Sequence, residues 1–262
     1  MAAESKNKKG KIIAIANQKG GVGKTTTTIN LSAALAAKKQ DVLIIDLDPQ
    51  GNATSGLGIE KNLEPSIYNV MIEEIGAEEA ITKTEYDHLK VIPGTIQLAG
   101  AEVELVGMLA REQILKSALE PLRGEYDFIL IDCPPSLGLL TLNALTAADS
   151  VLVPIQCEYF ALEGLSQLMN TFTMVKKKLN PQIEIEGVVL TMFDGRTRLS
   201  NQVVAEVKKF FNSKVYRSVI PRTVRLGEAP SYGQPILQYA PISAGARAYR
   251  SLADEVLKDN GG

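Results

Sequence analysis

A glycine-rich loop with two lysines is the segment whose residue types and spacing most clearly fit a chemical role. Its sequence is Gln18-Lys19-Gly20-Gly21-Val22-Gly23-Lys24-Thr25. An apolar run precedes it and an Ala-rich helical pattern follows, which is the context of a phosphate-binding loop. Backbone N–H groups and the positive end of the helix attract phosphate oxygens, Lys24 can reach the β- and γ-phosphates, and Thr25 can ligate Mg²⁺. The loop therefore predicts a nucleoside triphosphate site.

Two acidic segments follow predicted strands and add groups that phosphoryl transfer needs. Asp46 and Asp48 come at the end of the apolar run Val42–Leu47, and Asp132 ends the run Phe128–Asp132. Ligands of open α/β sheets bind at the carboxyl ends of the strands, so these carboxylates belong near the glycine-rich loop. Four apolar residues followed by Asp, downstream of such a loop, are typical of the Walker B motif. Asp132 is therefore predicted to help hold Mg²⁺.

Short apolar strands alternate with helical patterns, and these elements must position the loop and the carboxylates. The predicted strands are Lys11–Ala16, Val42–Leu47, Leu89–Ile92, Phe128–Asp132, Val151–Gln156, Ile183–Met192 and Val215–Ile220. The predicted helices are Thr25–Lys38, Gln97–Leu122, Leu139–Ala147, Leu162–Leu179, Ser200–Phe211 and Ala244–Lys258. Apolar runs without alternation are typical of parallel strands covered on both faces. The pattern predicts an α/β fold: a single-domain, doubly wound, mostly parallel β-sheet with helices on both faces.

The composition sets limits on the class of protein. The 262 residues are 45% hydrophobic, and 28 basic and 30 acidic residues give a net charge of −2, which excludes a disordered or wholly basic chain. We expect residues 1–10 to form a flexible basic tail and residues 11–262 to form one domain. The N-terminus lacks an apolar signal segment, and apolar runs are shorter than the roughly 20 residues of a membrane span, so we expect a cytoplasmic protein. Cys133 and Cys157 are expected to be buried, reduced thiols, and His88 is expected on the surface without a role.

The glycine-rich loop departs from the usual G-x-x-x-x-G-K-[ST] pattern. Gln18 stands at the first glycine position, and a second lysine, Lys19, precedes the double glycine. This K-G-G-x-G-K-T pattern resembles the deviant Walker A family of ATPases, and the run Asn17–Thr27 is similar to its ParA/Soj branch, the chromosome- and plasmid-partitioning ATPases. The resemblance extends from Ile12 to about Leu257. It implies a P-loop NTPase fold and Mg²⁺-dependent hydrolysis of ATP to ADP and phosphate.

The resemblance also implies roles for single residues. Lys19 reaches the nucleotide of a second subunit in an ATP sandwich dimer. Asp46 and Asp48 lie in a D-x-D-P-Q segment that acts as switch I, with Asp46 near Mg²⁺ through water and Asp48 holding the attacking water. The segment Asp132–Ser136 resembles the D-x-P-P switch II. We therefore expect three catalytic residues, Lys19, Lys24 and Asp48, and three metal ligands, Thr25, Asp46 and Asp132.

Base recognition is less readable from the sequence. Pro221, which follows the strand Val215–Ile220, is predicted by the resemblance to contact adenine. Met192, Phe193 and Asp194 end another strand, where in one interpretation they border the base. In the alternative interpretation, Met192 and Phe193 pack in the core. The predicted nucleotide-binding residues are Gln18, Lys19, Gly20, Gly21, Val22, Gly23, Lys24, Thr25, Thr26 and Pro221.

Charge is unevenly distributed along the chain. The segment Arg196–Arg225 contains eight basic residues and a single acid, Glu206. A localised basic face is typical of a protein that binds phosphate backbones through salt-sensitive contacts, and a solvated charged face is the alternative. The resemblance implies that an ATP-bound dimer binds double-stranded DNA non-specifically through Arg196, Arg225 and Arg222.

The leading hypothesis is an ATP-dependent DNA-partitioning ATPase that associates with the nucleoid and is reset when a ParB-type centromere-binding protein stimulates hydrolysis. One alternative is a membrane-associated cell-division regulator like MinD, which needs a basic amphipathic C-terminal helix. A second is an electron-transfer relative like the nitrogenase iron protein, which needs clustered cysteines. A third is a metabolic enzyme on the same scaffold, such as a ligase.

Overall fold

The computed structural model describes residues 9–158 and 163–261. The strands of this part are β1 (Lys11–Ile15), β2 (Val42–Asp46), β3 (Thr82–Lys83), β4 (Leu89–Ile92), β5 (Phe128–Asp132), β6 (Ser150–Gln156), β7 (Glu184–Phe193) and β8 (Val215–Pro221). They form one sheet in the order β3-β4-β2-β5-β1-β6-β7-β8. β3 is antiparallel to β4, and the other neighbouring pairs are parallel. The predicted doubly wound, mostly parallel sheet is confirmed.

Helices surround the sheet. Those of the described residues are α1 (Lys24–Ala36), α2 (Asn52–Ser55), α3 (Ile67–Met71), α4 (Leu98–Leu105), α5 (Ile114–Leu119), α6 (Leu139–Ala147), α7 (Glu163–Lys178), α8 (Arg198–Phe211), α9 (Val224–Glu228), α10 (Ile236–Tyr239) and α11 (Ala244–Asp259). Successive residues of β1 serve two cores, because Ile12 and Ala14 pack in one buried cluster while Ile13 and Ile15 pack in the other. This double burial explains the continuous apolar runs of the sequence.

The predicted single helix Gln97–Leu122 is wrong. The chain forms α4, a turn, α5 and then a 3₁₀ turn, Pro121–Gly124. Ala110 in the intervening turn has φ 50°, which no α-helix accommodates. Gly107 has low helix propensity, and Pro121 cannot donate a helical hydrogen bond. The two-residue strand β3 was not predicted, because it has no apolar run.

The N-terminal stretch is described only from Lys9 onward, so most of the predicted tail, residues 1–8, lies outside the described residues. Gly10 is buried, and its N–H donates to the Arg123 carbonyl oxygen at 2.7 Å. Lys9 Nζ donates to Glu120 Oε1 at 2.7 Å. The described end of this stretch is therefore attached to the domain.

Helix α11 has its apolar side in the core. Tyr249, Leu252 and Val256 are fully buried, and the helix packs against α1 and β8. The membrane-associated alternative requires a free apolar face on this helix, and that face is occupied. Within residues 9–158 and 163–261, no helix combines the length and the apolarity needed to cross a membrane.

The predicted burial of the two cysteines and the predicted surface position of His88 are confirmed. Cys133 and Cys157 are buried free cysteines, as expected of reduced thiols. His88 is exposed, and its Nδ1 lies 2.8 Å from Asp41 Oδ1.

Candidate active site

The glycine-rich loop joins β1 to α1 at the carboxyl edge of the sheet. Gly21 and Gly23 have φ angles of 71° and 88°, in the left-handed region that favours glycine. Gly23 is also the N-cap of α1. Gly20 differs, because its φ angle is not in that region. A Cβ added at Gly20 or at Gly21 would meet no atom within 4 Å. The backbone conformation therefore favours glycine at Gly21 and Gly23, and both Gly20 and Gly21 face open space.

Two polar side chains that the sequence analysis missed hold the loop against neighbouring strands. Asn17 Nδ2 donates to the Pro154 carbonyl at 2.7 Å, and Asn17 Oδ1 accepts from the Lys19 N–H at 3.0 Å. Thr191 Oγ1 donates to the Val22 carbonyl at 2.8 Å. These bonds connect the loop to β6 and β7, which are more than a hundred residues away, so no local pattern could reveal them.

The two loop lysines have different environments. Lys24 is 6% exposed, and its Nζ donates to the Lys19 carbonyl at 3.2 Å. Burial lowers the pKa of Lys24, while the charges of Asp132 and Asp48 act in the opposite direction. The ammonium group of Lys19 has neither an ion pair nor a hydrogen bond within the described part of the chain. It is therefore available to a negative charge from outside this subunit.

Asp46 ends β2 and is fully buried. The N–H and the Oγ1 of Thr54 both donate to Asp46 Oδ2, each at 2.7 Å. The Gly94 N–H donates to Thr54 Oγ1 at 2.9 Å, and a Cβ at Gly94 would lie 2.6 Å from the Asp46 carbonyl oxygen. Burial raises the pKa of Asp46, against the effect of the Thr54 hydrogen bonds. Thr54 and Gly94, which the sequence analysis did not identify, therefore fix this carboxylate.

Asp132 ends β5 and lies beside Asp46 in the sheet register. It is fully buried, Thr28 Oγ1 donates to its Oδ1 at 3.0 Å, and its Oδ2 has no hydrogen-bond partner in the described structure. Burial and then the charge of Asp46 raise the pKa of Asp132, while a hydrogen bond from Thr25 lowers it. The predicted metal ligands Thr25, Asp46 and Asp132 are thus brought together.

Asp48 lies just beyond β2. It is 8% exposed, and its Oδ1 accepts the Gln50 N–H at 3.0 Å. Its charge acts on both Lys24 and Asp132, so its carboxylate lies close to the loop. Asp48 is therefore located at the edge of the predicted phosphate site, as a group that positions water would be.

The residues present fit a magnesium ion. Two buried carboxylates repel each other here, and one oxygen, Asp132 Oδ2, has no partner. Mg²⁺ prefers one or two such carboxylates together with water and phosphate oxygens. Within the described ranges, no group of three or more His, Cys, Asp or Glu could hold a metal. In sites with one or two carboxylates, Mg²⁺ takes its other ligands from water and substrate phosphates.

A pocket of about 230 Å³ opens beside the loop. Gly23 and the predicted contact residue Thr26 line one side, and Met192, Pro221 and Leu226 line the other. Pro221 thus borders the same pocket as the loop, and its contact with adenine stays a prediction. Phe193 is half-buried and packs against the core, which was one of its two expected locations. The backbone of Phe193 and the side chain of Asp194 contact the basic segment. The Phe193 carbonyl accepts the Arg222 N–H at 3.1 Å, and the Asp194 carboxylate accepts from Arg196.

The three arginines of the predicted DNA surface each lie near a carboxylate. Arg196 Nη2 donates to Asp194 Oδ2 at 2.7 Å, and Arg225 Nη1 donates to Glu228 Oε2 at 3.0 Å. Arg222 Nη1 lies 3.9 Å from Glu158 Oε1. Two of these three acids, Asp194 and Glu228, lie just outside the segment Arg196–Arg225, so counting charge within it overstated its free positive charge.

The basic segment also contains a whole strand, β8. Lys214 and Arg217 lie at the amino end of β8, and Arg222 and Arg225 follow its carboxyl end. Seven strand residues separate these ends by about 20 Å. A strand thus runs through the segment, and a single basic face stays a prediction. Arg222 lines the pocket beside the loop, and Arg225 lies on α9, whose Leu226 and Gly227 also line it.

This fold and site define a class of protein. A parallel sheet with a glycine-rich loop after its central strand, Lys24 at the start of α1 and Asp132 at the end of β5 is the architecture of a P-loop ATPase. The additional Lys19 in the loop is the mark of the deviant Walker A group.

The comparisons with known proteins name the family. A family model described as "AAA domain" matches residues 10–185. The sporulation initiation inhibitor protein Soj of Bacillus subtilis is 61% identical over 248 residues, or 94% of this chain and 98% of that protein. The chromosome partitioning protein ParA of Myxococcus xanthus is 54% identical over 250 residues, or 95% of this chain and 88% of that protein. The chain belongs to the ParA/Soj family of partitioning ATPases.

A solved structure supports the fold and the type of ligand. The crystal structure of cobyrinic acid a,c-diamide synthase from Mycobacterium smegmatis, with bound ADP and magnesium, superposes with a TM-score of 0.85 at 39% identity. The superposition covers 97% of this chain and 96% of that one. Its ligands agree with the predicted cofactors, ATP and Mg²⁺.

Proposed function

We propose that this ATPase binds ATP and Mg²⁺ to form a sandwich dimer, and that the dimer binds double-stranded nucleoid DNA non-specifically. ATP hydrolysis, stimulated by a ParB-type centromere-binding protein, returns the chain to its unbound form. The observation that carries the proposal is the pair of loop lysines. Lys24 is buried among the catalytic carboxylates, whereas Lys19 has no partner of its own within the described residues.

The site residues support hydrolysis by positioning and charge neutralisation. Loop N–H groups and Lys24 bind the phosphates, and Thr25, Asp46 and Asp132 hold Mg²⁺, which supplies charge neutralisation of the β- and γ-phosphates. Asp48 orients a water molecule towards the γ-phosphate. A carboxylate of ordinary basicity is adequate for this role, because phosphoryl transfer depends mainly on geometry and electrostatics.

The outer side of the loop supports the dimer. The half-buried Lys19 is unpaired within the described residues, and Gly20 faces open space. An unpaired ammonium group beside a second cationic group, Lys24, is favourable only near concentrated negative charge. The phosphates of a second subunit's nucleotide provide that charge, and the absence of a side chain at Gly20 permits the close approach.

The position of α9 supports the link between nucleotide and DNA. Leu226 and Gly227 line the base pocket, while Arg225 of the same five-residue helix is exposed. Nucleotide in the pocket contacts the element that carries an arginine of the DNA surface. A dimer presents two such surfaces, and each added phosphate contact contributes about 0.9 to the log–log salt slope.

Sedimentation with DNA tests the proposal directly. The full chain is mixed with double-stranded DNA without nucleotide, with ADP or with ATP, each at two salt concentrations. We expect co-sedimentation with ATP alone, weakening steeply as salt is raised. Equal binding in all three nucleotide conditions, or none with ATP, contradicts the proposal.

Gly20→Val isolates the dimer step. The added side chain meets nothing within its own subunit, so folding and ATP binding should be retained while ATP-dependent dimerisation is lost. Light scattering with ATP measures dimerisation, and equilibrium dialysis measures nucleotide affinity. Normal dimerisation of this variant removes Gly20 from the interface.

A further inference from the structure

Helix α4 and the turn that follows it present an unusual apolar surface. Ile96, Val103, Val106 and Leu109 are between 58% and 96% exposed, and we call these four residues the α4 patch. Val103 lies in α4, Ile96 precedes its N-cap and Val106 is its C-cap, so the exposed side chains occur from one end of the helix to the other. The opposite side of α4, with Leu98, Ala101 and Leu105, is fully buried. Grouped exposed apolar side chains of this kind mark interaction sites.

The loop that leads into α4 touches switch I. Gly94 packs directly against the Asp46 backbone and donates its N–H to Thr54 Oγ1, which in turn donates to the Asp46 carboxylate. A Cβ at Gly51 would lie 2.9 Å from the Gly94 carbonyl oxygen. A displacement of α4 therefore reaches the segment that carries Asp46 and Asp48.

The middle of α4 touches the chain just after switch II. A Cβ at Gly138 would overlap Glu102 Oε1, so the carboxylate of Glu102 lies directly over this glycine. Gly138 is the N-cap of α6, and Glu102 Oε1 is buried without a hydrogen-bond partner in the described structure. The loop before α4 thus contacts switch I, and α4 itself contacts the residue that joins switch II to α6, while the outer side of this region exposes an apolar surface.

The charge around the patch indicates what covers it. Glu104 of α4 accepts from Tyr68 of α3, and Glu64 accepts from Gln97, so two carboxylates border the patch. Arg111 donates to the Val106 carbonyl oxygen and pairs with Glu112, so an acid already balances its charge. An apolar surface with an acidic rim attracts an amphipathic segment with basic residues and repels both DNA and an anionic membrane.

We propose that the α4 patch is the docking surface for a basic amphipathic segment of the ParB-type partner, and that docking stimulates hydrolysis by moving α4 against both switches. The inference rests on the proposed function and adds the place of contact and its route to Asp46 and Asp48.

A triple variant tests the docking surface. Val103→Ser, Val106→Ser and Leu109→Ser together remove apolar area without touching the buried side of α4. With the ParB-type protein of the same genome and DNA as probes, we expect stimulation of ATPase activity to fall about tenfold or more. Basal ATPase activity and ATP-dependent dimerisation should stay within about twofold of the unmodified chain. Ile242→Ser is the matched control, because Ile242 is 86% exposed and lies elsewhere.

Three outcomes contradict the inference. If the partner stimulates the triple variant as strongly as the unmodified chain, the docking surface is wrong and the proposed function is unaffected. Loss of ATP-dependent dimerisation in the triple variant assigns the patch to a second copy of this chain. An unmodified chain that the partner neither binds nor stimulates overturns the proposed function together with this inference.

Direct binding provides a second measurement. Cys133 and Cys157 are buried, so Val106→Cys offers an exposed thiol for an environment-sensitive dye. We expect its emission to change when the partner is added in ADP, where no sandwich dimer forms. No change at saturating partner concentration contradicts docking at α4.

Glu102→Gln tests the route to switch II. As a positioning residue, Glu102 should affect the stimulated turnover and leave the affinity for the partner unchanged in the dye titration. If this variant and the unmodified chain have the same stimulated turnover, the contact between Glu102 and Gly138 does not transmit the effect of docking.

Discussion

The carboxyl edge around β2 and β5 and the surface beyond β8 both concentrate charge, but they hold it in opposite ways. Asp46 and Asp132 are fully buried, and threonines from other elements donate to them. Arg196, with a side chain 90% exposed, pairs with Asp194, only two residues away. Arg225 pairs with Glu228 on the same short helix.

The difference shows which charges are fixed and which can exchange partners. A buried carboxylate is costly, so it persists only where donors and cations are arranged around it. An exposed ion pair contributes little, about 0 to 1 kcal/mol, and a phosphate can replace its acid. The fold therefore fixes the carboxylates of the ATP site, whereas the arginines of the proposed DNA surface can exchange partners.

The largest effect is expected within the fixed region, at Asp48. Asp48→Ala should bind ATP and dimerise but hydrolyse on the order of 100-fold more slowly, because the attacking water loses its positioning group. Single-turnover hydrolysis measures the rate, and sedimentation should find the variant persistently on DNA with ATP. Turnover like that of the unmodified chain rules out this role for Asp48.

Thr54→Val breaks the arrangement around Asp46 without changing side-chain size. The Asp46 carboxylate loses a hydrogen bond while it stays buried, so we expect the free energy of unfolding to fall by about 1 to 3 kcal/mol. Urea denaturation measures it. Thr146→Val is the control, because buried Thr146 only donates to the Leu142 carbonyl within α6 and should cost less. If both variants lose the same free energy of unfolding, the hydrogen bond from Thr54 to Asp46 has no special stabilising role.

Arg225→Ala tests the exchangeable region. DNA binding should weaken by about tenfold or more, because each subunit of the dimer loses one charged contact. The log–log salt slope should fall by about 1.8, since two contacts disappear. Filter binding at several salt concentrations gives both quantities, and ATPase activity serves as the control. An unchanged slope locates the DNA contacts elsewhere.

The smallest effect is expected at Glu228, and it has the opposite sign. Glu228→Gln removes the acid that occupies Arg225, so DNA binding should strengthen by roughly two- to fivefold, the scale of an exposed ion pair. Glu206→Gln changes the net charge equally and is the matched control in the same filter-binding assay. If both variants gain the same affinity, general charge explains the effect and the pairing does not.

The sequence predicted the elements that depend on local patterns. The seven apolar strands and the glycine-rich loop follow from runs and spacing within a few residues. Helix Gln97–Leu122 failed because its apolar periodicity continues through Ala110, whose backbone turns away from the helix. The two-residue β3 gave no pattern at all.

In the site, too, only the residues that belong to local sequence motifs could be predicted. Lys24, Asp46 and Asp132 belong to motifs, so their location was foreseen. Thr191 reaches the loop from 169 residues away, and only the folded sheet brings it there. The pairing of Arg225 with Glu228 was missed because the charge count stopped at Arg225, one helical turn too early.

Helix α9 has a thermodynamic consequence. Its Leu226 lines the pocket beside the loop, and its Arg225 belongs to the proposed DNA surface. Coupling between two sites is reciprocal, so whatever factor ATP adds to DNA affinity, DNA must add to ATP affinity. A chain already on the nucleoid should hold its nucleotide more tightly than one free in solution. Residence on DNA then favours the triphosphate form, and release depends on hydrolysis more than on nucleotide exchange.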